Sequence, residues 1–149
     1  MNRTGKRPAR WREVREAILL YTFVAIGASI GGTARALVSM ITIEVTGPGF
    51  PWGTLVANVA GSFAIGFFAT LTGPDGRLLL STRVRQFVMT GICGGFTTFS
   101  MFSLETFRLA TAGNYLMATL NIGVSVVAWL VAVWIGQALA AQFNRLGGM

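Results

Sequence analysis

The chain has 149 residues, 53% of them hydrophobic and 11% charged, with a mean hydropathy of +0.63. A water-soluble domain of that length needs more charge to cover its surface, so the composition selects lipid as solvent. Twelve basic against five acidic residues give a net charge of +7, but the basic residues flank apolar segments and form no separate face, which argues against nucleic acid as a partner.

Residues 1–17 form a basic tail holding Arg3, Lys6, Arg7, Arg10, Arg12 and Arg15. The apolar stretch behind it is too long for a secretion signal and three more follow, so the tail is expected to be retained, with residues 1 to 12 or so poorly ordered. Residues 18–141 are the membrane domain. Its apolar segments occupy 18–43, 52–71, 86–110 and 115–141, against the roughly 20 residues needed to cross a bilayer. Thr46-Gly47-Pro48-Gly49-Phe50-Pro51 and Thr72-Gly73-Pro74-Asp75-Gly76-Arg77 cannot continue a helix, and Gly113-Asn114 is a short turn. Residues 142–149 make a short C-terminal tail. Four spans put both termini and the second loop on one side with ten of the twelve basic residues, leaving Arg35 and Arg108 for the other. The positive-inside rule makes the basic side cytoplasmic.

In the first span Gly27 and Gly31 form a GxxxG, with Ser29 nearby. In the second, Thr54, Asn58 and Ser62 recur at every fourth position and share a face. Gly53, Ala57 and Gly61 line an adjacent face that permits close helix approach. Asn121 and Ser125 share a face of the fourth span. Such side chains serve either as interhelical glue or as the lining of a polar path, and spacing leaves both open.

The third span reads Gly91-Ile92-Cys93-Gly94-Gly95-Phe96-Thr97-Thr98-Phe99-Ser100-Met101-Phe102-Ser103-Leu104-Glu105. Two adjacent glycines and two β-branched threonines make poor continuous helix, so a break is expected near mid-membrane, at Gly94 to Thr97. Broken backbone there must be buried in protein or line a cavity, because lipid supplies no hydrogen bonds. Half-helix ends present bare carbonyls or amides, and both can hold ions. A packing kink covered by threonine hydroxyls is the plainer alternative. Beyond it, Phe99 and Phe102 lie one turn apart, as do Phe102 and Glu105. A face shared with an acid points inward, and ring edges carry partial positive charge that can meet an anion.

These residues closely resemble the signature of the Fluc (CrcB) family of fluoride channels. Residues 53–63 resemble that family's second-span motif, and Gly31-Gly32-Thr33-Ala34-Arg35 its first-span motif; the likeness covers about residues 20–140. It implies an all-α membrane protein of four transmembrane helices, the third broken at mid-membrane, assembled as an antiparallel dual-topology homodimer. It further implies a multi-pass protein of the bacterial cytoplasmic (inner) membrane that exports fluoride passively from the cytoplasm. The implied fluoride pathway comprises Phe99, Phe102, Asn58, Thr54, Ser100, Ser103 and Glu105, with Arg35 near the pore entrance. A structural sodium ion (Na+) at the dimer axis would rest on the backbone carbonyls of Gly94 and Thr97. Fluoride is small and strongly hydrated, so compact donors suit it, ring edges bind it without trapping it, and a buried cation offsets the cost of low dielectric. Glu105 on such a path is expected to be protonated or turned toward a donor. Met101 stands where many members carry threonine, and Ala36 where an aromatic is common. The charge bias of the tail opposes dual topology, which goes with near-balanced charge.

Two other readings compete. A small multidrug exporter also has four spans, but it needs an early intramembrane carboxylate, and only Glu44 stands at the edge of the first span. A non-transporting membrane subunit would tolerate changes across Gly94 to Thr98. An enzyme is not expected, since the sequence has no histidine, no nucleophile–base pair and no metal cluster; Cys93, alone between apolar neighbours, reads as packing. Four helices cannot surround a pathway and also bury both polar stripes, so a dimer is expected on physical grounds too.

Overall fold

The computed structural model describes residues 9–146; Arg3, Lys6 and Arg7 of the basic tail, and residues 147–149, lie outside them. Every element among the described residues is helical. α1 (Ala9–Thr46) and α2 (Trp52–Leu71) are followed along the third segment by α3 (Thr82–Gln86), a wider π-helical stretch over Phe87–Cys93, α4 (Gly94–Phe96) and α5 (Phe99–Thr111). α6 (Tyr115–Leu146) completes the chain. Four stretches are long and apolar enough to cross a membrane: Arg10–Thr46, Trp52–Leu71, Thr82–Thr111 and Tyr115–Arg145.

The helix ends follow from turn chemistry. Gly47 takes φ +76° and its amide donates to Ile43 O at 2.9 Å, which closes α1 before Pro48. At the end of α5, Gly113 (φ +81°) donates to Ala110 O and Asn114 to Leu109 O, the paired bonds of a Schellman cap. Ser81 Oγ accepts from the Val84 amide and starts α3.

α1 has 38 residues, about 57 Å at 1.5 Å per residue, against a hydrocarbon core of roughly 30 Å. Its first turns, with Arg10, Arg12 and Arg15, therefore reach beyond the apolar layer as helix, where the sequence suggested disorder up to about residue 12. Arg83, next to the start of α3, donates to the Glu16 carboxylate and ties that projection to the loop side. At the same end, Asn144 Nδ2 donates to Thr70 O and its Oδ1 accepts from the Arg77 amide, each at 3.1 Å.

Packing is interleaved. α2 packs chiefly on α6, and α1 chiefly on the third segment. The α1 seam consists of glycines. A Cβ on Gly91 would stand 2.9 Å from the Gly27 Cα, and one on Gly95 would stand 2.5 Å from Ala28 O, so neither backbone pair tolerates a side chain. Gly66 and Gly136 do the same between α2 and α6: a Cβ on Gly136 would stand 2.9 Å from the Phe67 amide nitrogen. Gly94 is different, with its nearest non-local atom at 3.8 Å from an added Cβ. Gly95 thus serves close approach to α1, and the helix continues through Gly94–Phe96.

Candidate functional site

The non-helical residues of the third segment are Thr97 (φ −84°, ψ 158°) and Thr98 (φ −154°, ψ 124°), both extended. The interruption thus sits just downstream of the glycine pair that the sequence pointed to. Its backbone bonds are partly diverted to side chains. The Thr98 amide, which a continuous helix would direct to Gly94 O, donates instead to Asn58 Oδ1 at 2.7 Å. Asn58 Nδ2 donates back to Thr98 O at 2.9 Å. The Met101 amide, whose helical target is Thr97 O, donates to Thr98 Oγ at 3.2 Å and so caps α5. Thr97 Oγ and its amide both donate to Cys93 O at 3.0 Å.

Backbone carbonyls are released by this exchange. Among the described residues, none of Gly94 O, Phe96 O and Thr97 O receives a backbone amide in return. The neighbouring Gly95 O accepts from Arg35 Nε at 3.3 Å, so Arg35 lies against the backbone just before the extended pair, with α1 bringing it there. No cluster of histidine, cysteine, aspartate or glutamate able to hold a metal exists among the described residues. A hard cation here would have to use carbonyl oxygen.

Asn58 is buried on α2, so α2 determines where the extended pair sits. One N–H of its amide is committed to Thr98, which leaves the other free. Asn58, Gly94, Thr97 and Phe99 line one cavity of about 280 Å³. Thr54 and Glu105 line a second, also about 280 Å³, with Ser39, Thr42 and Arg108 around it. Glu105 Oε2 is buried there with no hydrogen-bond partner among the described residues.

Phe99 and Phe102 meet with ring centroids 5.6 Å apart at 48°. They are not equivalent: Phe99 is 72% exposed and Phe102 is 6% exposed. Ser100 and Ser103 lie on the exposed side of α5. Ser100 Oγ is 3.2 Å from Thr98 Oγ, and Ser103 Oγ donates to Phe99 O at 2.9 Å. Hydroxyls that the sequence offered as free donors are thus partly committed to their own backbone.

Three residues of this region were not legible as site residues. Thr98 is the capping residue that also pairs with Asn58. Thr106 accepts from Asn121 Nδ2 at 2.8 Å and donates to Phe102 O at 2.7 Å. Trp129 packs on the Phe102 ring, centroids 4.9 Å apart at 73°. The available signal for Trp129 was its place in the stripe Asn121, Ser125, Trp129, at every fourth position of α6.

The chain is also similar to known proteins. Residues 22–137 match the family described as CrcB-like protein, Camphor Resistance (CrcB). The chain is 57% identical over 136 residues to "Fluoride-specific ion channel FluC 1" of Rhodopseudomonas palustris (strain BisB18), covering 91% of this chain and 96% of the relative. It is 53% identical over 137 residues to a protein of the same name from Bradyrhizobium diazoefficiens, covering 92% of each. It is also 54% identical over 128 residues to "Fluoride-specific ion channel FluC" of Paramagnetospirillum magneticum, covering 86% of this chain and 100% of the relative.

Proposed function

This chain belongs to the CrcB-like family, and on that premise we propose that it is a fluoride-selective channel that exports fluoride passively from the bacterial cytoplasm across the inner membrane. The observation that carries the reading is the diverted backbone at Thr97 and Thr98, followed within one turn by an aromatic pair. In hydrocarbon such a segment is tolerated only where protein covers it or a cavity meets it, and here it does both. The third helix is thus read as broken at mid-membrane for a purpose.

Fluoride leaving water needs donors that replace its hydration without holding it fast. The uncommitted Asn58 N–H and the Ser100 hydroxyl are compact donors near the Phe99 ring. Phe99 and Phe102 add ring edges of weak positive potential. Thr54 and Glu105 line the next cavity along, and Ser103 and Arg35 complete the polar set. A protonated Glu105 would act there as a donor, which suits an anion path.

The free carbonyls of Gly94 and Thr97 suit a structural sodium ion. Two carbonyls are too few for a hard cation, and a second copy related by a two-fold axis would double the set. This supports a homodimer with the ion on its axis, and an antiparallel arrangement is the form that the family resemblance implies. The large apolar surface left exposed on α1, α5 and α6 is consistent with burial against lipid and a second copy.

Ion-selective measurement of fluoride release from loaded liposomes tests the proposal. Fast release of fluoride, with chloride retained, is the expected result. Equal retention with and without the protein would refute it.

A further inference from the structure

The two phenylalanines are supported unevenly. Phe99 has one aromatic neighbour, Phe102. Phe102 is held between Phe99 and Trp129, and its approach to the indole is nearly perpendicular at 73°. A perpendicular contact is directional, because an aromatic face is negative and its edge positive. It fixes the plane of the phenyl ring as well as its place.

α6 is delivered to that contact by the polar stripe that the proposed pathway leaves unused. Ser125 Oγ donates to Asn121 Oδ1 at 3.4 Å, and Asn121 Nδ2 donates to Thr106 Oγ at 2.8 Å. Asn121 and Ser125 are the most completely buried polar side chains described, at 2% and 1% exposure. Asn121, held by Ser125 on its own helix, ties α6 to α5 at the turn beside Phe102, and Trp129 follows on the same face. Its Nε1–H is buried with no acceptor among the described residues. An indole donor left unpaired costs stability and does nothing to hold α6. What Trp129 contributes is its ring.

We propose that Trp129 is a positioning residue that holds the Phe102 ring at the angle from which its edge faces the anion path. The inference rests on the reading of Phe102 as part of that path.

The test uses the full chain in liposomes, with Trp129→Leu, Trp129→Phe and, as a stability control, Asn144→Ala at the far end of α6. Trp129→Leu is expected to slow fluoride release roughly three- to ten-fold, the range set by the energy of one aromatic pair. Trp129→Phe keeps an aromatic face without the N–H and is expected to stay within about twofold of the parent. Asn144→Ala is expected to lower the melting temperature with release unchanged. The second readout is the 19F signal of 4-fluorophenylalanine placed at position 102. It is expected to shift and broaden in Trp129→Leu and to remain sharp in Trp129→Phe. Parental release by Trp129→Leu would overturn the inference. So would release by Trp129→Phe as slow as that of the leucine variant, since the N–H and not the ring would then be at work. Trp129→Met carries the same comparison should the leucine variant not assemble. Failure of the parent chain to release fluoride would sink the channel reading by itself; the 19F comparison would still decide the positioning, and an unchanged signal in Trp129→Leu would overturn it.

Discussion

Asn58 makes with Thr98 the two bonds that a neighbouring β-strand would make, one to the amide and one to the carbonyl. Asn58→Asp keeps the acceptor and loses the donor. The Thr98 carbonyl is then left without its partner, at a cost of about 1–3 kcal/mol, and a like charge stands where fluoride must pass. Fluoride release is expected to vanish and the melting temperature in detergent to fall. Phe99→Ile separates these effects. Phe99 is exposed, so its replacement is expected to abolish release with the melting temperature unchanged. Unaltered release by both variants would place the pathway on another face. The residues around the extended pair were singled out in the sequence: Asn58 within a polar stripe, Phe99 and Phe102 one turn apart, and Thr97 in a segment of poor helix formers. Their bonding was not. The partner of Asn58 is 40 residues away, and spacing says which residues share a face but not what that face meets.

The two glycines of the third segment illustrate the same limit among the helices. Read locally, Gly94 and Gly95 weaken a helix equally. In the fold only Gly95 presses on α1, with the Ala28 carbonyl 2.5 Å from where a Cβ would stand. Gly95→Ala is expected to destabilise the protein by about 1–3 kcal/mol, read as a lowered melting temperature and loss of assembled protein. Gly94→Ala is expected to cost less, because within one chain an added Cβ meets nothing closer than 3.8 Å. Equal loss in both would show that the glycines matter for backbone flexibility and not for the α1 seam. The ends of α2, Trp52 and Leu71, were readable because proline and glycine stop a helix on both sides. The outer ends of α1 and α6 were not, since hydropathy marks where lipid ends and a helix of charged residues can run on past it.

At the scale of the whole protein, the proposed sodium ion provides a test that needs no flux. Exchange of sodium for a bulky organic cation is expected to lower the melting temperature of the assembled protein and to reduce crosslinking between copies, with readdition of sodium restoring both. A melting temperature indifferent to sodium would remove the ion from the proposal and leave the free carbonyls to another donor. Small-residue stripes in the sequence announced that helices approach closely, yet could not say that α1 chooses the third segment and α2 chooses α6. That alternation has a consequence for how the protein is made. Spans leave the ribosome in chain order, so α1 and α2 enter the membrane before the main partner of either exists. Asn58 then waits in lipid with its amide unpaired until Thr98 arrives. Each half of the chain holds one side of both seams, so the two halves expressed as separate polypeptides should find each other.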